Sequence, residues 1–244
     1  MADADHLIRH KRHLLLKEIG GPGLARLAEA KVTIVGAGAL GGPCALYLAA
    51  AGVGTIEIFD ADSVDLSNLQ RQVQFSEAEI GTNKAEALAA RLTGLNHEIS
   101  ILPRPVMFAR NTRPSGEILI DATDQFSTRF EVNEAAADRG CLLVSGAAIG
   151  WTGQVGVFAP GRPDIGPCYR CFVPEAPEQA EDCDTLGVVG AVTGITGARM
   201  ALETVKLITD AGESAMGMLW HFDGLTGKAR TLRIRPDPEC LYCT

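Results

Sequence analysis

A β-branched run, Val32-Thr33-Ile34-Val35, leads directly into Gly36-Ala37-Gly38-Ala39-Leu40-Gly41, and a small-residue helix over Leu40–Ala51 follows, ended by Gly52. Few patterns constrain a fold as strongly as this strand–turn–helix. The first glycine permits a tight turn, the second lets a phosphate approach the backbone, and the third lets the helix pack close to the sheet. The helix N-terminus then faces anionic groups. Asp60 closes the next strand, Thr55–Phe59, where a carboxylate can bind ribose hydroxyls. Glycines that merely pack a helix on a strand are the alternative, and the surrounding context disfavours it. The pattern says nucleotide without saying which. Taken alone it favours NAD or FAD, so an NAD-dependent oxidoreductase is the natural competitor to any other reading.

The rest of the chain repeats the alternation. Residues 5–29 read as a helical arm with a turn at Gly20-Gly21-Pro22-Gly23. Beyond the first two strands, Ser76 and Glu79 form a capping box with Phe75 and Ile80 as a staple, and Asn83 opens a helix running to about Leu95. Strands follow near Ile99–Leu102, Ile118–Asp121 and Leu142–Ser145, with a helix over Phe126–Arg139. After residue 150 the texture changes. A turn at Gly150–Gly153 leads to strand Gln154–Phe158, and a Pro- and acid-rich loop runs from about Val173 to Leu186. The helix Gly190–Ala211 presents Val192, Ile195, Ala198, Leu202, Val205 and Ile208 on one face. Strands near Met218–Phe222 and Ala229–Ile234 then flank a turn at Asp223-Gly224. The expected fold is α/β, a Rossmann-like, mostly parallel sheet with an antiparallel C-terminal extension. One domain over 1–244 is expected, with the arm at 5–29, a nucleotide-binding half at 31–150 and a second half at 151–244.

The 244 residues include 46% hydrophobic and 21% charged, the balance of a globular protein with a large core, at a net charge of −8. An acidic surface disfavours nucleic acid or anionic membrane as the main partner. No stretch reads as a membrane span and Met1–His6 does not read as a signal peptide, so a cytoplasmic location is expected.

The segment after Asp60 changes the reading. Hydride transfer needs no cluster of Asn, Arg and Lys just past the ribose position. Stabilising a transferring phosphoryl group does, because charge develops on the phosphate oxygens. Arg71 and Lys84 supply cations and Asn68 a neutral donor, while Asp124, past the strand ending at Asp121, is suited to hold magnesium. Each alone has a bland reading, Lys84 as a first-turn helix residue and Arg71 as a solvated loop charge. Together they fall at the carboxyl ends of strands, where open α/β sheets bind ligands.

The two Cys-x-x-Cys pairs, Cys168/Cys171 and Cys240/Cys243, make a four-thiolate structural zinc site if the fold joins them. A redox dithiol lacks its usual context here. Cys44 and Cys141 read as small buried residues. Acidic neighbours should raise the thiol pKa of Cys183.

Ser67-Asn68-Leu69-Gln70-Arg71-Gln72, Lys84, Asp121-Ala122-Thr123-Asp124 and Cys168-Tyr169-Arg170-Cys171 together resemble the ThiF/MoeB group, the bacterial relatives of ubiquitin-activating enzymes. The resemblance runs from about Arg9 to Cys243. It implies ATP-dependent adenylation of the C-terminal carboxylate of a ubiquitin-like sulfur-carrier protein ending in Gly-Gly, in thiamine or molybdopterin biosynthesis. By the same resemblance, Asp60 binds ribose, Asn68, Arg71 and Lys84 bind the triphosphate, and Asp124 binds Mg2+. A homodimer is implied, with Arg12 reaching into the partner's ATP site. Cys183 takes the place of a loop cysteine that links covalently to the carrier in parts of the family; a dispensable thiol is the other reading. The chain ends one residue past Cys243, so sulfur is expected from a separate donor protein. Ala39 replaces a usual glycine and Gln125 a common asparagine, and neither change removes a charged group. A non-catalytic module that binds a ubiquitin-like protein should lack one or more of these charges, and none is missing.

Overall fold

The computed structural model describes residues 4–176 and 187–243. The arm comprises helices α1 (Ala4–Arg9), α2 (Lys11–Leu14) and α3 (Gly20–Glu29). The turn expected at Gly20–Gly23 is instead the first turn of α3. Pro22 explains the difference, since its ring holds a helical φ and its missing N–H has no partner to lose in a first turn.

The core then alternates as β1 (Lys31–Val35), α4 (Gly41–Ala51), β2 (Thr55–Phe59), α5 (Lys84–Leu95), β3 (Ser100–Arg104), β4 (Ile118–Asp121), α6 (Phe126–Arg139) and β5 (Leu142–Ile149). The C-terminal half adds β6 (Thr152–Phe158), α7 (Tyr169–Phe172), α8 (Gly190–Thr209), β7 (Met218–Asp223) and β8 (Lys228–Arg233). All eight strands form one sheet in the order β3-β2-β1-β4-β5-β6-β7-β8. The first five are parallel, and β5 to β8 pair antiparallel. This is the α/β sheet with antiparallel extension that the sequence implied. β5 runs past the expected Ser145 to Ile149, where it pairs with Thr152 across a tight turn. Gly146, Ala147 and Ala148 carry little strand propensity, and the ladder with β6 decides their conformation.

Helices cover both faces. One core packs Leu27 of α3, Leu48 of α4, Leu88 of α5 and Met200 of α8 against Val32 and Ile34 of β1. The other packs Val132 and Ala136 of α6 and Tyr169 of α7 against Val35, Leu119 and Leu143. The predicted face of α8 is only partly right. Val192 is buried, but Ile195 and Leu202 are 44% and 50% exposed, while Thr193, Thr196, Met200 and Thr204 face inward. Threonine enters this core because its hydroxyl bonds back to the carbonyl four residues earlier, Thr196 to Val192 at 2.8 Å and Thr204 to Met200 at 2.9 Å. The staple also fails on one side, since Phe75 is buried and Ile80 exposed. The capping box is present around the single turn Glu77–Glu79, with Glu79 Oε2 accepting from the Ser76 amide at 2.7 Å.

A buried carboxylate ties the edge of the parallel sheet together. Glu57 Oε2 accepts from Thr33 Oγ1 at 3.0 Å and the Ser115 amide at 2.8 Å, and Oε1 accepts from Arg104 Nε at 2.9 Å. Burial alone would raise this carboxyl, yet the Ser115 amide, Arg104 and the two hydroxyls hold it below its ordinary value. A depressed folded-state value means the stabilisation is complete above the unfolded value of about 4.3 and fades as pH falls through the lower folded value. Glu57→Gln should therefore lose about 1–3 kcal/mol of stability at neutral pH. It should also flatten the fall of Tm on acidification, measured by thermal unfolding followed by circular dichroism.

Candidate nucleotide site at the sheet's switch point

From β1 the chain steps to β2 on one side and later to β4 on the other. Connections leaving the carboxyl ends of β1 and β4 diverge there and open a crevice. A cavity of about 460 Å³ occupies it, lined by Gly36, Gly38, Asp60, Arg71, Gln72 and Asp124 among others.

The glycine turn explains its own sequence. Gly36 has φ +96°, and a Cβ there would lie 2.7 Å from the Ala122 carbonyl oxygen. A Cβ on Gly41 would lie 1.8 Å from the Gly36 carbonyl oxygen, so the first turn of α4 sits directly on the loop. At Gly38 an added Cβ would meet only the Gln72 amide, at 3.5 Å, so this stretch of backbone is open to a ligand. Asp60 braces the turn: Oδ2 accepts from the Ala37 amide at 2.8 Å and Oδ1 from the Asp62 amide at 2.9 Å. Burial pushes the Asp60 carboxyl above its ordinary value, opposed by those two amides.

Asn83 brings the start of α5 to this edge. Its Nδ2 donates to the Asp60 and Asp62 carbonyls at 3.0 and 3.1 Å, and its Oδ1 accepts from the Ala85 and Glu86 amides. Lys84 is thereby held beside the cavity, buried, with Nζ 2.9 Å from Asp62 Oδ2. Asp62, given no role from sequence, lines the cavity and couples Lys84 to it. Asn68 lies in the turn Leu66–Asn68, half-buried and outside the lining. Arg71 lines the cavity and donates to the Ser67 carbonyl at 3.2 Å.

On the β4 side, Asp124 is exposed and lines the cavity, with no ion pair among the described residues. A buried group that sequence reasoning missed shapes its turn. Asp121 Oδ2 accepts from Ser145 Oγ at 2.6 Å and lies 3.4 Å from Arg129 Nη1, while Oδ1 accepts from Thr123 Oγ1 at 2.7 Å. Arg129 Nη2 also donates to the Thr123 carbonyl. An arginine eight residues after a strand-end aspartate was the available signal; its burial at 6% exposure was not readable. Gln72 Oε1 is buried at the cavity without a partner among the described residues, able to accept from a ligand donor.

Arg12 lies exposed on α2 and does not line its own chain's cavity. Cys183 and its loop lie outside the described residues. The two cysteine hooks do meet: Cys168–Cys171, Cys168–Cys240 and Cys171–Cys243 have sulfur separations of 3.8, 3.6 and 3.4 Å. Four thiolates at about 2.3 Å from one ion stand about 3.8 Å apart, so this donor set fits a tetrahedral metal. The Asp237 amide donates to Cys171 Sγ at 3.3 Å and steadies the cluster. Cys44 and Cys141 are buried, as expected.

The sequence model of the ThiF family matches residues 10–242. The chain belongs to the ThiF family. Among curated relatives of this ThiF-family chain, the SAMP-activating enzyme E1 of Haloferax volcanii is 39% identical, covering 99% of this chain and 90% of that protein. The mouse adenylyltransferase and sulfurtransferase MOCS3 is 41% identical over 98% of this chain and 53% of its own length. The probable adenylyltransferase/sulfurtransferase MoeZ of Mycobacterium tuberculosis is 38% identical over 96% and 62%. The chain thus spans little more than half of these last two proteins. In fold it resembles E. coli MccB, with TM-score 0.83 at 24% identity over 97% of this chain and 75% of that one.

The Asp121–Arg129 pair yields a direct test. Arg129→Met strands a buried carboxylate and should cost about 3–5 kcal/mol. Adding Asp121→Asn should recover part of that loss, so urea unfolding of the double variant should fall short of the summed single effects.

Proposed function

We propose that this ThiF-family chain adenylates the C-terminal glycine carboxylate of a ubiquitin-like sulfur-carrier protein, using ATP and Mg2+. One observation carries the reading: an open glycine turn, Asp60 at the end of β2, the cation Arg71 and the carboxylate Asp124, which has no ion pair among the described residues, share one cavity. Hydride transfer does not require this cation together with a second carboxylate suited to magnesium, which disfavours the oxidoreductase alternative. The relatives' names, an E1 and two adenylyltransferases, support the same reaction class.

In this reading Asp60 binds the ribose and the turn Gly36–Gly41 receives the phosphates. The carrier's carboxylate attacks the α-phosphorus, the bond to the bridging oxygen breaks, and pyrophosphate leaves with both its electrons. A carboxylate is already ionised at pH 7, so no general base is required. Catalysis is then positioning and charge neutralisation. Arg71 and Lys84 neutralise the triphosphate, Lys84 exchanging Asp62 for phosphate, and Asn68 adds a neutral donor. Asp124 would hold magnesium, which neutralises charge on the departing pyrophosphate. Arg12 from a second copy completes the cation set in a homodimer. Zinc fits the four cysteines and would pin the C-terminal tail against α6 and α7. A separate protein supplies sulfur to the acyl-adenylate, and the carrier belongs to the thiamine or the molybdopterin branch. Adenylation precedes any covalent step at Cys183.

ATP–pyrophosphate exchange with zinc-replete protein tests this reading, with a thiamine-type and a molybdopterin-type carrier added separately. Exchange with one of them is expected, and Asp124→Ala should reduce it at least about 100-fold without moving Tm. Cys183→Ala should leave exchange intact. Silence with both carriers sinks the adenylation claim.

A further inference from the structure

A second group of metal-type donors lies on the arm, away from the cysteine cluster. His6 in α1 and His10 just after it are four residues apart, and Glu98 stands between α5 and β3. Their ligand atoms all lie within 4.8 Å of one another. His6 Nδ1 is 2.7 Å from Glu98 Oε2. The other oxygen, Oε1, lies 3.5 Å from Arg9 Nε, and Arg9 Nη1 donates to the Leu95 carbonyl at 3.0 Å. An ion pair between His6 and Glu98 accounts for two of the three groups. It does not account for His10, which is only 2% exposed and whose ring makes no hydrogen bond among the described residues.

His10 is held there by packing. Its ring lies against the end of α4, where a Cβ on Gly52 would come within 2.8 Å of it. His6 and His13 flank it at ring separations of 4.7 and 5.8 Å. Burial, and then these two neighbours, push the His10 imidazole below its ordinary value despite Glu98 nearby.

We propose that His6, His10 and Glu98 form a second metal site that takes a divalent transition ion of the zinc or cobalt class, with water completing its shell. Two imidazoles and one carboxylate are a donor set such ions accept, three protein ligands leaving an open fourth position. Ligands about 2.0–2.1 Å from a tetrahedral ion stand about 3.4 Å apart. The His6–Glu98 contact therefore opens by less than about an ångström, and the widest pair closes by about one and a half. Both shifts fall within side-chain rotation of His6 and Glu98, which are partly exposed. Arg9, on the other carboxylate oxygen, orients Glu98 from outside the shell. The ion joins α1 to the α5–β3 connection, two residues before Arg12, and so restrains the segment that carries it.

The inference is independent of the adenylation reading and is tested on metal binding alone. Protein whose cysteine cluster is already loaded with zinc is titrated with Co2+ and followed by visible absorption and equilibrium dialysis. One further equivalent is expected, with a d–d spectrum free of thiolate charge-transfer intensity. His6→Ala and Glu98→Gln, both at partly exposed positions, should each weaken that binding by about 10-fold or more. No further equivalent, a thiolate-type spectrum, or unchanged affinity in both variants would overturn the proposal. Wild-type stoichiometry alone can do so, whichever variant folds.

Discussion

The contact between the first turn of α4 and the Gly36 carbonyl sets the depth of the whole site. With no side chain at Gly41 the helix rests on the loop, and the loop in turn rests on the end of β4 through Gly36. Helix α8 also packs closely on the start of α4, because a Cβ on Gly197 would lie 2.5 Å from the Leu40 carbonyl oxygen. Held between loop, sheet and α8, α4 buries Cys44, Ala45, Leu48 and Ala49 and so has little polar face. Small side chains are a requirement of that position, since overpacking typically costs about 1–3 kcal/mol and here would also move the glycine turn that lines the cavity.

Polar and charged groups removed from water supply the second level of order. Helix α6 carries two consecutive turns of such groups. Arg129 pairs with Asp121 under the cavity, and Asn133 Oδ1 accepts from the Tyr169 amide at 2.8 Å at the start of α7. On the same helix Phe130 lies 3.5 Å from the Arg170 guanidinium, which also faces Tyr242 at 4.6 Å and pairs with Glu134 at 3.2 Å. The helix that shapes the Asp124 turn therefore also anchors both halves of the cysteine cluster. Disturbance of the tail has a short mechanical route to the cavity.

Much of this was legible in the chain. The strand–turn–helix around Gly36–Gly41, the parallel alternation, the cavity positions of Asp60, Arg71 and Asp124 and the meeting of the cysteine hooks all follow from local chemistry with strong steric or ligand demands. The missed features share a different origin. Glu57 and Asn133 are polar residues whose burial depends on partners distant in sequence, Arg129 is buried against the strand-end Asp121 across the turn into α6, and Thr196 and Thr204 enter the core by satisfying their own hydroxyls. A pattern of apolar residues records none of these. Lys84 was placed at the right edge, but its pairing with Asp62 depends on Asn83 folding α5 back to β2, which no local signal carries.

The order of the strands has a consequence for how the chain is born. β2 follows β1 closely in the chain, but the other edge of β1 pairs with β4, much later in the sequence, where Val32 meets Ile118. Until that stretch has left the ribosome, a strand destined for the centre of the sheet presents an unpaired, strongly hydrophobic border. Non-local parallel pairing is intrinsically slow, and such borders invite intermolecular association. The crevice, which needs the ends of both β1 and β4, cannot form before these two strands pair.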